Sequence, residues 1–416
     1  MSPGTRLNRL HPYPAMVADD LALRLAREHV RAGDSVLDPF CGSGRLLAAS
    51  ASQSVHRVGV DANPLAWLLT SAKLSNPDPK RLRAVLEGIP ARRARKVRLD
   101  ETAPDDTTRR VEWFPSVVLD ELSQIIAWIN SMELDMPERL VAAAALSAAA
   151  RDASYARRSG WKLHRMSEAA RTRQNRSGWD CFERRLRYCT EAIAAQPEVS
   201  GECSVHLGDT RRLLGADSEV IAPGSFDVVL TSPPYGDSRT TVQYGAASAL
   251  CIDIASRISG LEALRTPSAQ IDGLCLGGYR SSGEPDNLSI KDYWSGSKDS
   301  PRARSVGRFL WDYAAACAAI ASRMRPKGTV VMIVGRRSVE GFRLKLDDFT
   351  VDQFESLGFR STNVSRRHLV GKRLPRKINR FGRASSVERR ALGVTTTMLT
   401  ETIVVLRRDG SGTKPL

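Results

Sequence analysis

Apolar positions along this chain switch between two spacings, and the switches mark its elements. Met16, Leu21, Leu23 and Leu25 recur at helical spacing over residues 15–29, with Asp19 and Asp20 in the first turn, where a carboxylate meets the helix's positive end. His11-Pro12-Tyr13-Pro14 just before them predicts a stiff turn. A short apolar strand over 35–40 runs into Cys41-Gly42-Ser43-Gly44, a helix opens at Arg45, and a second strand over 57–61 ends in an acid. Strand, glycine loop, helix, strand, acid is a βαβ unit of the dinucleotide-binding kind.

That rhythm then stops. From 76 to 199 the pattern is helical: Val118, Leu122, Ile125 and Ile129 share one face, and an Ala-rich helix over 138–150 has Pro137 near its start. Asp180-x-x-Glu183 resembles a capping box, with Phe182, Leu186, Cys189 and Ile193 on the face that follows. Strand spacing returns at 204–209 and 226–231. Residues 238–305, rich in Gly, Ser and Asp, read as loop. A helix over 308–324, an apolar strand over 329–334 after Pro326-Lys327-Gly328, a short helix over 351–357 and a last strand over 401–406 complete the chain. The pattern predicts an α/β fold, a doubly wound Rossmann-like sheet with a large helical insertion. The expected division gives the sheet domain residues 1–75, 200–237 and 306–410, and makes 76–199 the helical insertion and 238–305 a loop-rich one.

Composition adds a partner class. The 416 residues carry a net charge of +16 and a pI of about 9.9, a field that suits a polyanion such as nucleic acid, or simply a soluble protein from an Arg-rich proteome. The seven cysteines are scattered, with no two at metal-ligand spacing, so a reducing compartment is expected, with no disulfide framework and no metal. No apolar run is long enough to span a bilayer and no signal peptide precedes the first helix, so a cytoplasmic protein is expected, without a membrane partner.

The glycine loop lacks the full G-x-G-x-x-G spacing, and an acid, Asp38, stands just before it. A carboxylate there would repel a pyrophosphate and welcome an amino-bearing or cationic ligand. S-adenosyl-L-methionine, with a sulfonium, an α-amino group and no phosphate, fits. Asp61 is placed to accept from ribose hydroxyls and Asp209 from an adenine amine. The alternative is structural: glycines for a tight turn and an acid that caps a helix.

Residues 226–231 end in Ser232-Pro233-Pro234-Tyr235. Two prolines remove two N–H groups and leave carbonyls that only accept, while the Tyr ring offers a face for a flat base. Such a ledge suits an exocyclic amine, which donates. Together these residues resemble the amino-methylating DNA methyltransferases of the N4-cytosine type. Asp38 to Gly44 looks like their D-P-F-x-G-S-G cofactor motif and Thr231 to Tyr235 like their T-S-P-P-Y catalytic motif. The segment around Pro14 resembles the one that closes over the methionine end of the cofactor.

The resemblance covers the Rossmann elements, roughly half the chain. It implies a class I methyltransferase sheet, and Pro14, Asp38, Phe40, Gly42, Gly44, Asp61 and Asp209 at the cofactor. It also implies direct methyl transfer to a flipped base in double-stranded DNA, with Ser232, Pro233, Pro234 and Tyr235 at the amine. A cognate restriction endonuclease acting on the same site would be a natural partner. Ser at the head of the ledge goes with cytosine N4, Asn or Asp more often with adenine N6. An adenine-N6 enzyme, an RNA amine methyltransferase and a non-catalytic nucleic-acid-binding shell are the alternatives.

Members of the family often carry a recognition domain after the last strand. None is expected here, so recognition falls to 76–199, 238–305 or both. Residues 151–187 hold eleven basic residues against four acids, with Trp161 and Trp179 interleaved, and 360–390 hold eleven against one. Arg157, Arg158, Lys162, Lys372 and Arg373 are candidate phosphate contacts, and Arg239 and Gln243 candidate readers of base edges. The alternative is a solvated surface.

Overall fold

The computed structural model describes residues 8–14, 16–53, 56–94, 112–157, 163–196, 201–213, 221–236, 244–278, 290–297, 301–340, 342–369, 377–379, 394–396 and 400–410. The strands Ser35–Asp38 (β1), His56–Asp61 (β2), Glu202–Leu207 (β3), Phe226–Thr231 (β4), Met324–Gly335 (β5), Phe359–His368 (β6) and Thr400–Arg408 (β7) form one seven-stranded sheet. Its order is β3-β2-β1-β4-β5-β7-β6. The first five strands run parallel, and β7 lies antiparallel between β5 and β6.

Alternation along the central strands explains the two covered faces. Val36, Val228, Leu230, Val331 and Ile333 point into one core with Leu21, Leu25, Leu46 and Leu47 of helices Asp19–His29 (α1) and Arg45–Ser50 (α2). Their neighbours Leu37, Val229, Val330 and Met332 point the other way, under the helices Pro301–Arg323 and Leu346–Ser356. Strands buried on both faces read as continuous apolar runs, as these do.

A third core is built mainly from helices. It joins Pro64–Leu74 (α3), Pro79–Ala94 (α4), Ser116–Ser131 (α5), Met136–Ala153 (α6) and Gly178–Ala194 (α7) to Tyr244–Ala255 (α8), and it takes in Leu10 and Tyr13. Alanines 142–145 and 148–150 are fully buried, which lets neighbouring helices approach α6 closely.

Several expectations move. α1 opens at Asp19, with Ala18 as its cap residue. The capping box at Asp180 is not used: Ser177 caps α7, its Oγ accepting from the amides of Trp179 (3.1 Å) and Asp180 (3.4 Å), because a hydroxyl already stands one residue before the helix. The stretch 238–305, read as loop, holds α8, the helix Ser268–Leu274 and the start of the helix at Pro301. α8 is apolar nearly all round and wedged against α6 and α3, so no amphipathic stripe announced it. The helix Leu346–Ser356 starts five residues early, and β5 pairs regularly from Thr329 after an irregular start in which Lys327 holds φ +64°. β6 was missed inside a basic run because an edge strand exposed over most of its length carries no apolar alternation.

Candidate active site

The strand order reverses between β1 and β4, which opens a crevice at the strands' C-terminal ends. Residues following four parallel strands line one cleft there: Phe40 and Gly42 after β1, Asp61, Ala62 and Asn63 at β2, Gly208, Asp209 and Thr210 after β3, Ser232 and Pro234 after β4. Tyr13, Tyr244 and Leu274–Leu276 close it.

The glycine loop is folded on itself. Gly42 (φ +51°) and Gly44 (φ +72°) hold left-handed backbone, and a β-carbon on Gly44 would meet Thr70 of α3 at 2.8 Å. Four of the loop's amides are spent inside the protein. Phe40 N–H donates to Asp38 Oδ1 (3.3 Å), Cys41 N–H to the Val60 carbonyl (3.0 Å), Gly42 N–H to Asp61 Oδ2 (2.8 Å) and Gly44 N–H to the Cys41 carbonyl (2.7 Å). Phosphate-binding loops keep such amides for the ligand. Here the cleft wall offers the carboxylates of Asp61 and Asp209, which suit a donor.

Asp61 also accepts from Asn63 N–H (2.9 Å), and desolvation at the cleft wall pushes its carboxyl up to about 6. Asp38 sits below the cleft, almost fully buried. Its Oδ1 takes the Thr231 hydroxyl at 2.7 Å, tying β1 to β4 just before the ledge, and burial pushes the acid up to about 7. Asp209 lines the cleft but is occupied: Arg211 holds its carboxylate through Nε (2.9 and 3.0 Å) and also pairs with Asp312 (2.7 Å). It therefore enters as one half of an ion pair, which the reading of a free acceptor did not anticipate.

The N-terminal segment is pinned over this loop. His11 Nδ1 donates to the Pro12 carbonyl (2.6 Å), which leaves Nε2 to accept from the Ser147 hydroxyl on α6 (3.0 Å). Burial lowers His11 to about 4, so it is neutral. Tyr13 lies 6.2 Å, ring to ring, from Tyr244 and accepts from Asn63 Nδ2 (3.3 Å). Lys73, buried and lowered by burial to about 7, donates to the Ser43 carbonyl from behind. Pro14 is buried beside Tyr13 rather than in the cleft wall.

On the ledge Ser232 and Pro234 face the cleft and Pro233 is buried. Tyr235 is half-buried, its hydroxyl 3.2 Å from Ser232 Oγ and 3.3 Å from Glu401 Oε1. Burial, then Glu401, holds its phenol well above the usual range.

The structure thus brings Phe40, Gly42, Asp61, Asp209, Ser232 and Pro234 together, with Asp38 and Gly44 supporting from behind. The sequence reading missed Asn63 and Thr210. Asn63-Pro64, a polar cap with proline at the first helical position, was a usable signal: Asn63 Oδ1 accepts from Leu65 N–H (3.0 Å).

Part of the first basic cluster is paired with acids while staying exposed, Arg184 and Arg187 keeping more than half of their side chains open. Arg184 and Arg185 pair with Asp152 (3.0 and 2.8 Å), Arg187 with Glu183 (2.7 Å), and Trp179 is a core residue against Trp128. Arg157 is exposed next to an antiparallel bridge between Ala156 and Arg165, its Nε donating to the Arg165 carbonyl (3.0 Å). Arg158, Trp161, Lys162, Asp237, Arg239, Gln243, Lys372 and Arg373 lie outside the described residues.

No known family model matches the chain. Over 96% of its length it is 27% identical to the type II methyltransferase M.MvaI of Kocuria varians, covering 90% of that protein. Over 18% of the chain and 14% of the relative it is 30% identical to the type II methyltransferase M.MjaII of Methanocaldococcus jannaschii. Among solved structures, the rRNA methyltransferase aviRa of Streptomyces viridochromogenes aligns over 95% of this chain and 88% of its own, at 12% identity and a TM-score of 0.35.

Proposed function

We propose that this chain is a DNA methyltransferase that uses S-adenosyl-L-methionine and modifies the exocyclic N4 amine of cytosine in double-stranded DNA. The whole-length similarity to a type II methyltransferase supports the enzyme class. The observation that carries the reading is the single cleft in which an amide-spent glycine loop and Asp61 face the Ser-Pro-Pro ledge. The residues fit the cofactor: Phe40 and Tyr244 offer apolar surface to a purine, Asp61 an acceptor for ribose hydroxyls, and the carboxylate-rich wall a counterpart to a cationic amino acid. When bound, S-adenosyl-L-methionine supplies a methyl group on a sulfonium. The chain's own task is to hold an amine in line with it. Ser232 Oγ and a ledge carbonyl accept the amine's two N–H bonds and leave its lone pair directed at the cofactor side of the cleft. The open edge of the partly buried Tyr235 ring would give the flipped base a stacking face that offsets part of the few kcal/mol of unstacking. Residues 76–199 and 238–305 are the candidate target-recognition segments, with Arg157 and the basic runs contacting phosphates.

The test is direct reading of modified bases in genomic DNA from cells expressing the protein. N4-methylcytosine in one sequence motif is expected, lost in both Ser232→Ala and Tyr235→Ala while cofactor binding persists. N6-methyladenine alone, or modification confined to RNA, would replace this substrate with an alternative one. No cofactor binding would leave only a nucleic-acid-binding shell.

A further inference from the structure

Glu401 opens β7, and the sheet register places it opposite Gly335 on β5 and Arg367 on β6. This brings it within reach of the ledge from 166 residues away in sequence. The contacts form a chain: Ser232 Oγ, Tyr235 Oη at 3.2 Å, Glu401 Oε1 at 3.3 Å, and Arg367 Nε 3.8 Å from the other carboxylate oxygen.

The proton directions along this chain follow from chemistry. An ionised carboxylate only accepts, and the Arg367 guanidinium beside it favours that charge. Tyr235 must therefore spend its one proton on Glu401. Its oxygen then has only lone pairs for Ser232, so the serine spends its own proton on Tyr235. What Ser232 presents to the cleft is a bare oxygen. An amine arriving there brings N–H donors and meets an acceptor that cannot turn a proton toward it.

We infer that Glu401 is a positioning residue that acts through Tyr235 to fix the Ser232 hydroxyl as an acceptor for the target amine; the inference rests on the function proposed above. A glutamine at 401 would keep the shape, but its amide can donate as well as accept, so both proton directions become available.

The test compares wild type, Glu401→Gln, Tyr235→Phe and the double variant for kcat, KM for DNA and cofactor Kd. Glu401→Gln should lower kcat about tenfold, one hydrogen bond's worth at the transition state, with cofactor Kd within about twofold of wild type. In the Tyr235→Phe background the same change should cost less than about twofold, because the link is already cut. An equal loss in both backgrounds, no loss at all, or a loss confined to cofactor binding would overturn the inference. A second readout does not need activity: the ring-carbon NMR signal of Tyr235, labelled at Cζ and assigned with Tyr235→Phe, should shift in both Glu401→Gln and Ser232→Ala. If wild type methylates no DNA, the proposed substrate fails, and this signal alone decides: shifts in both variants uphold the chain, none in either overturns it.

Discussion

Gly44 lies so close to Thr70 that a β-carbon on the glycine would sit 2.8 Å from both Oγ1 and Cγ2 of the threonine. Thr70 cannot simply turn away, because its hydroxyl donates to the Gly42 carbonyl at 3.0 Å and its side chain is fully buried. Gly44→Ala should therefore cost about 2 kcal/mol or more, from a left-handed backbone bearing a side chain and from overpacking. The loop would open and cofactor affinity would fall with it. Thr70→Ala removes both colliding atoms, so the double variant should regain the overlap part and not the backbone part. Denaturant unfolding of the four proteins measures this, and a Gly44→Ala protein as stable as wild type would refute it.

Trp179 stands in a basic, tryptophan-bearing run, yet it is 2% exposed and its ring lies 5.9 Å from that of Trp128. Trp179→Ala should cost about 3–5 kcal/mol through the cavity it leaves between α5 and α7. DNA affinity, measured where both proteins are folded, should stay within about twofold. A loss of DNA binding without a loss of stability would make the residue a contact instead.

How much of this was legible depended on the range of the interaction. Gly42, Gly44 and Asp61 could be placed because strand, loop and helix are consecutive and the hydrogen bond from Gly42 to Asp61 spans only 19 residues. The Ser-Pro-Pro ledge could be placed because proline acts locally on its own backbone. α8 was hidden because a helix buried on all sides carries no periodic signal, and β6 because an exposed edge strand carries no apolar one. The tie from Tyr235 to Glu401 depends on β7 pairing beside β5, a relation that no local pattern contains. The charge of residues 151–187 does not by itself say which arginines pair with acids: that Arg184 and Arg185 both meet Asp152 is settled by tertiary packing.

The neutral state of His11 sets a pH dependence of the N-terminal segment. Its folded pKa is about 4, against 6.5 for the free side chain. Between those values the unfolded chain binds a proton that the folded one does not, so this contribution is complete above pH 6.5 and fades as pH falls toward 4. The span corresponds to about 3 kcal/mol. Asp38 and Asp61, raised by burial, act in the opposite sense over much of that window, so the comparison must be with a variant rather than with wild type at another pH. The stability advantage of wild type over His11→Gln should shrink by about 3 kcal/mol from pH 7 to pH 4. A gap that stays constant across this range would show that His11 does not carry the effect.

The same two acids predict how the cleft answers a cationic ligand. In the free protein Asp61 titrates near 6 and Asp38 near 7, both raised first by desolvation. A sulfonium and an ammonium brought to the cleft, with Asp61 on its wall and Asp38 buried just below, favour the ionised carboxylates, so binding releases whatever protons the acids hold. Affinity for S-adenosyl-L-methionine should therefore be highest just above pH 7 and weaken as pH falls, by up to about tenfold per unit for each acid involved. Asp61→Asn carries no charge to lose. It should bind more weakly at pH 7 and show a shallower fall below pH 6, with the remaining slope belonging to Asp38. Calorimetric titration at constant ionic strength, repeated in buffers of different ionisation enthalpy, reads both the affinity and the proton release. Affinity that rises as pH falls, or a slope identical in Asp61→Asn, would mean that these carboxylates are not the counterpart of the cofactor's charge.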